Sequence, residues 1–183
     1  MIKTNEFRLW LEGAESGAEA VAQQFFADMQ KNHPGCRLGV AGKEGHPGSG
    51  NCAWTAREFF NWAKQRGLPV QYLSFIPWDG NSAGHIVPVY DSTVIDFIKH
   101  YHYGQDAPYM LHRVTNPTVN KVLPLRGSGL EHYAQDHQVY ILANSMADVE
   151  RVWGVYWHKK KITDNPEPIR VTTFDPPRLD TAI

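Results

Sequence analysis

Cys52, His85 and Asp96 follow one another in the chain as a thiol, an imidazole and a carboxylate. Cys52 stands in Ser49-Gly50-Asn51-Cys52-Ala53-Trp54, at the opening of a stretch with helical periodicity. A thiol in the first turn of a helix has its thiolate stabilised by free N–H groups and by the positive end of the macrodipole. A histidine from a facing strand takes the thiol proton, and a carboxylate fixes the imidazole tautomer. His85 in Gly84-His85 and Asp96 on the next strand-like run are the residue types for those tasks. A cysteine by itself is most often a small buried hydrophobe; its company points to nucleophilic catalysis. Cys36, in Gly35-Cys36-Arg37-Leu38, has no helix to follow, so Cys52 is the expected reactive thiol.

The surrounding pattern supplies elements to position these groups. Ala18, Val21, Phe25 and Met29 recur at helical spacing and predict an N-terminal helix ended by Asn32-His33-Pro34-Gly35. Six glycines between Gly35 and Gly50 mark an irregular loop leading into the cysteine. No Gly-Lys-Ser or Gly-Lys-Thr follows them, so a phosphate loop is excluded. From Cys52 to Arg66, Ala53, Ala56, Phe59, Phe60 and Ala63 form one apolar face, with Gly67 placed as a C-terminal cap. Leu68 to Ile76 reads as a strand, and His85 to Tyr90 with Val94 to Ile98 as a hairpin. Tyr109 to Val114 and Val139 to Ala143 are further strands, and Met146 to Lys160 is a second amphipathic helix. The proline-rich end is expected to be extended over 162–183.

Composition limits the function classes. A chain of 183 residues suits one domain spanning 1–183, with its core at about 35–160. Eighteen Lys and Arg offset nineteen Asp and Glu, and the only basic run is His158-Lys159-Lys160-Lys161, so nucleic acid is not an expected partner. Two cysteines are too few for a disulfide framework and fit a reducing compartment. No stretch approaches the ~20 consecutive apolar residues of a membrane span, and no signal peptide is readable. The expectation is a cytoplasmic protein with no membrane partner; a delivered effector or a virus-encoded factor is equally compatible.

From Gly50 to Gly104 the chain resembles the catalytic core of papain-like, more narrowly transglutaminase-like, cysteine enzymes. Gly50-Asn51-Cys52, the helix from Ala53 to Arg66 and Gly67-Leu68-Pro69-Val70 look like that family's nucleophile helix and following strand. Gly84-His85-Ile86-Val87-Pro88-Val89 and Val94-Ile95-Asp96-Phe97 look like its His and Asp strands. The resemblance implies an α+β fold, the nucleophile helix packed against a small antiparallel sheet, with additional N-terminal and C-terminal helices. It also implies a Cys52-His85-Asp96 triad acting on amide bonds of a peptide or protein through a thioester, without a cofactor or metal. Cleavage, deamidation and transamidation share that intermediate. The family often has an aromatic residue shortly after its histidine, where this chain has Ile86 and Val87. Papain-like proteases tend to place a glutamine six residues before the cysteine, where this chain has His46; the candidates to complete an oxyanion hole with the Cys52 N–H are Asn51 and His46, and the sequence leaves the choice open. Trp54 and Trp78 are the substrate-binding candidates.

Two other function classes compete. Nine histidines are many for this length, and His100-Tyr101-His102 sets two imidazoles on one strand face, a possible half of a metal site with His85 or an acidic residue. No Cys-x-x-Cys or His-Glu-x-x-His accompanies them. The other class is a binding module that kept the fold and lost the chemistry, with the Trp54, Trp62 and Trp78 region as a recognition surface. The partner of His85 depends on hairpin register. Asp91, six residues along the same strand, is roughly 20 Å away and belongs to the turn. A turn centred on Tyr90-Asp91 sets Asp96 opposite His85; one centred on Ser92-Thr93 sets His100 there. Turn chemistry favours the second. A carboxylate better stabilises an imidazolium, and with the family pattern this selects Asp96.

Overall fold

The computed structural model describes residues 17–32, 52–77, 84–98, 108–135 and 137–164. These residues form an α+β arrangement of three helices and a six-stranded antiparallel sheet. The helices are α1 (Gly17–Asn32), α2 (Cys52–Gln65) and α3 (Met146–Asp164). The strands are β1 (Val70–Pro77), β2 (His85–Tyr90), β3 (Thr93–Asp96), β4 (Met110–Arg113), β5 (Val122–Pro124) and β6 (His137–Ala143), in the order β4-β3-β2-β1-β6-β5. The glycine loop with Cys36 and His46, and Asn51, Trp78, His100, His102 and 165–183 lie outside the described residues. Among the described residues no helix is long and apolar enough to cross a membrane.

Both faces of the sheet are covered. Tyr72, Ile86, Ile141 and Ala143 meet Ala56 of α2 and Val149, Val152 and Trp153 of α3 on one face. Leu73, Phe75, Val87, Val89, Val94, Tyr140 and Leu142 meet Val114, Leu125, Leu130 and Tyr133 on the other. Side chains alternate along a strand, so double coverage makes β1 and β2 apolar at consecutive positions. That is why these strands read as continuous runs in the sequence.

Helix α1 packs against both α2 and the β3 end of the sheet, where Phe25 meets Phe97 at 5.2 Å. Cys52, Ala56 and Phe60, spaced at i, i+4 and i+8, pack toward the sheet and α3. Phe59, Trp62 and Ala63 turn toward α1, where Phe25 meets Phe59 and Trp62 edge-on at 4.9 and 5.6 Å. Asp28 accepts hydrogen bonds from Trp62 Nε1 and Arg66 Nη2, both at 2.8 Å. The Arg66 and Asp28 side chains are 32% and 23% exposed, and such a pair contributes about 0–1 kcal/mol. Burial of a large apolar side chain contributes about 1.5–3 kcal/mol, so the aromatic seam is the main attachment of α1 to α2.

Gly67, at φ +67°, ends α2 as expected. Leu68 N–H bonds Ala63 C=O at 3.0 Å and Gly67 N–H bonds Lys64 C=O at 3.1 Å, the two bonds of a Schellman motif. Two expectations are corrected and one strand is added. Helix α3 runs on to Asp164, so residues 162–164 are helical rather than extended. The strand β5 is an addition; with three residues and Pro124 it carries little periodicity and suits only a sheet edge. The β2–β3 hairpin has neither expected register. Tyr90 pairs with Thr93 and Val89 with Val94, so the turn is Asp91-Ser92.

Asp91 and Ser92 adopt φ of 47° and 54°, the left-handed conformation that matches a two-residue hairpin turn to strand twist. Neither is glycine, so the turn holds backbone strain of roughly 1–2 kcal/mol per residue. Ser92→Gly is expected to stabilise the protein by about 0.5–1 kcal/mol after the greater unfolded freedom of glycine is deducted. A higher urea midpoint at unchanged slope shows the gain; a lower midpoint contradicts the account of the turn.

Candidate active site

Strand β2 pairs with β1 from Tyr90 to His85, but with β3 only at Tyr90 and Val89. Pro88 explains the difference. A two-residue turn makes Tyr90 and Thr93 the hydrogen-bonded pair, so the backbone groups of Tyr90, Pro88, Ile86 and Gly84 face the β3 side. Proline has no N–H to offer there, and the ladder stops. Asp96 then bends the chain away: its Oδ1 accepts the Ile98 N–H at 2.8 Å, closing an Asx turn.

The vacated edge receives Cys52. Its Sγ lies 3.9 Å from the Gly84 carbonyl oxygen, the acceptor for the S–H, and the Ile86 N–H donates to the sulfur. The Cys52 backbone N–H belongs to the first turn of α2, where N–H groups have no intrahelical acceptor and can face an oxyanion. Asn51 and His46, the candidates for the second oxyanion donor, are outside the described residues.

His85 and Asp96 are 2% and 0% exposed. His85 Nε2 and Asp96 Oδ2 are 2.9 Å apart. An ionised carboxylate only accepts, so Nε2 carries a proton and Nδ1 is the ring nitrogen left for the thiol. Phe75 stacks on the imidazole at 5.8 Å with 9° between planes, and His137 stacks on Phe75 at 5.1 Å. Tyr133 donates its hydroxyl to Asp96 Oδ2 at 2.7 Å. Continuing the Tyr90-Thr93 register would set Ile98 opposite His85, so Asp96 reaches the imidazole as a diagonal neighbour on the same face.

Burial works against ionisation of all three groups, and their mutual interactions outweigh it. Burial raises the Cys52 thiol, but the hydrogen bond and positive charge of His85 and the Ile86 N–H bring it below its ordinary value. Burial lowers His85, but the Asp96 charge and hydrogen bond, then Cys52, push it up to about 9. Burial raises Asp96, and His85, the Ile98 N–H and the Tyr133 hydroxyl hold it below the usual carboxylate range. The lowered thiol and the raised imidazole both shift the balance toward a thiolate–imidazolium pair.

Trp54, expected against substrate, is 7% exposed in the core shared with α1. Two positions beyond Cys52 is about 200° around the helix, the side facing away from the thiol. Trp78 lies outside the described residues. Tyr133, Phe75 and the Gly84 and Ile86 peptide groups are additions to the site; Pro88 inside a strand pattern was the one local signal of the open edge. No group of three or more His, Cys, Asp or Glu among the described residues fits a metal ion. Comparison of the chain with protein-family models, curated proteins and solved structures gave no match.

A Cβ on Gly84 would lie 2.8 Å from Trp153 Cη2 and 3.0 Å from the Phe75 carbonyl oxygen. Gly84→Ala therefore has to shift the backbone that holds both the sulfur acceptor and His85. Iodoacetamide alkylation of Cys52 at neutral pH is expected to slow roughly tenfold or more, with about 1–3 kcal/mol lost in stability. Shortening Trp153 to Phe in the same chain should restore part of that stability. Unchanged alkylation in Gly84→Ala would contradict the placement of the thiol.

Proposed function

We propose that the chain is a papain-like cysteine hydrolase or acyltransferase acting on amide bonds of a peptide or protein. The observation that carries the reading is the buried His85–Asp96 pair, with the Cys52 thiol at a helix N-terminus on the other side of the imidazole. The Cys52 thiolate attacks the amide carbonyl carbon, forming a C–S bond and a tetrahedral oxyanion. The His85 imidazolium gives its proton to the leaving nitrogen as the C–N bond breaks, leaving a thioester and a neutral imidazole. Water or an amine then attacks the thioester while His85 takes its proton, and the thiolate leaves. Water gives hydrolysis and an amine gives transfer; Asp96 fixes the ring throughout.

The charge arrangement favours a working site over a binding module that has lost its chemistry. Two buried ionisable groups beside a part-buried thiol are costly to hold, and a packing role is met at lower cost by apolar residues of similar volume. Here each is compensated by a specific donor or charge, the pattern expected where pKa values are matched to proton transfer.

Incubation with a peptide bearing a glutamine-like electrophile, followed by intact mass measurement, tests the proposal. One adduct is expected, mapping to Cys52, absent from Cys52→Ala and formed at least roughly a hundredfold more slowly in His85→Ala. Cys52→Ala should remain folded, because the two side chains differ little in volume. Equal labelling rates in wild type and His85→Ala, or preferential labelling of Cys36, would overturn the assignment.

A further inference from the structure

The Asp96 carboxylate is shared unequally. Oδ1 takes the Ile98 N–H, whereas Oδ2 takes both His85 Nε2 at 2.9 Å and the Tyr133 hydroxyl at 2.7 Å. Tyr133 is fully buried and arrives from the 3₁₀ turn Glu131–Tyr133, in the segment that covers the face of the sheet opposite the helices. That turn is held by its own network. Glu131 Oε1 accepts the Gly127 and Ser128 N–H groups at 2.6 and 3.2 Å, Ser128 Oγ accepts the Leu130 N–H at 3.1 Å, and the Tyr133 N–H bonds Leu130 C=O at 3.0 Å. The phenol ring is wedged against Phe75 at 4.3 Å and His85 at 5.8 Å. The hydroxyl thus reaches Asp96 on a rigid mount.

We infer that Tyr133 is a positioning residue of the proposed reaction: its hydroxyl moderates the hold of Asp96 on the His85 proton, so that His85 can serve as acid and then as base. The inference rests on the reading of Cys52, His85 and Asp96 given above. An imidazolium paired with a carboxylate that accepts nothing else keeps its proton tightly, which suits acylation and hinders deacylation, where a neutral imidazole must take a proton from water. A second donor on the same oxygen draws off part of the negative charge. His85, at about 9, is already well above its ordinary value with the phenol in place, so a stronger hold would work against the base step. The ionisable groups facing His85 are Cys52 from α2, Asp96 from β3 and Tyr133. Behind them, His137 of β6 lies across Phe75, and His112 of β4 and His132 lie against the Tyr133 ring at 5.6 and 5.4 Å.

The test follows the His85 imidazole resonances through a pH titration, in wild type, in Tyr133→Phe and with 3-fluorotyrosine in place of Tyr133. Loss of the hydroxyl is expected to move the His85 titration upward; the more acidic fluorophenol, a stronger donor, is expected to move it downward. Acylation and deacylation by an activated ester are measured separately on the same proteins. Deacylation at neutral pH should slow roughly tenfold in Tyr133→Phe, with acylation much less affected. An unchanged His85 titration in both variants, or equal slowing of the two steps, would overturn the inference. If Tyr133→Phe fails to fold, the fluorotyrosine protein alone decides by the direction of its shift. The titration needs no turnover, so a shifted His85 in a chain that forms no acyl adduct would discard the proposed reaction and keep the coupling.

Discussion

A carboxylate with no access to solvent sets the terms for the rest of this structure. Asp96 is 0% exposed, and an ionised carboxylate in such a place is tolerated only with its lone pairs filled and a countercharge beside it. It obtains the countercharge from β2, a phenol from the far face of the sheet, and an N–H from its own chain two residues on. Removing one partner of a buried charge pair costs about 3–5 kcal/mol, against about 0–1 for a partly exposed pair such as Arg66 with Asp28. The two ion pairs thus differ in kind. One trims the attachment of a helix, and the other joins β2, β3 and the 3₁₀ segment into one unit.

The thiol site follows from the same place in the chain. Pro88 ends the β2–β3 ladder and the Asx turn at Asp96 carries β3 away, so two peptide groups of β2 face outward at the position where α2 begins. Sulfur occupies the position of a strand. Its neutral form has the Gly84 carbonyl as acceptor and its anion has the Ile86 N–H as donor, so both protonation states find a partner without movement of the backbone. Trp153 of α3, set against Gly84, keeps that edge in place from the third helix.

Local periodicity made much of this legible. Helices α1 and α2 each bury one face and follow the 3.6-residue spacing, and the glycine at the end of α2 sits where only a left-handed residue closes the Schellman motif. The partnership of His85 with Asp96 could be read although the register could not. The two registers considered and the observed one differ by whole two-residue steps, and such steps leave every side chain on the same face. Turn preference misplaced the centre because Asp91-Ser92, without glycine, hides its left-handed conformation. Tyr133 was beyond reach, since nothing in Glu131-His132-Tyr133 announces a partner in a distant strand. Trp54 misled for the opposite reason: its closeness to Cys52 in sequence concealed that the helix turns it toward α1.

The central claim is that the resting site is a thiolate paired with an imidazolium. Its most direct test is a pH titration of the far-ultraviolet thiolate absorbance, on a Cys36→Ser chain so that Cys52 is the single thiol. Cys52 should ionise below the ordinary thiol value, and the imidazolium should lose its proton near pH 9. In His85→Ala the largest remaining influence is burial, which disfavours the anion, so ionisation should move above the wild-type value. A Cys52 that ionises in the ordinary thiol range in wild type, and is unmoved by His85→Ala, would contradict the account.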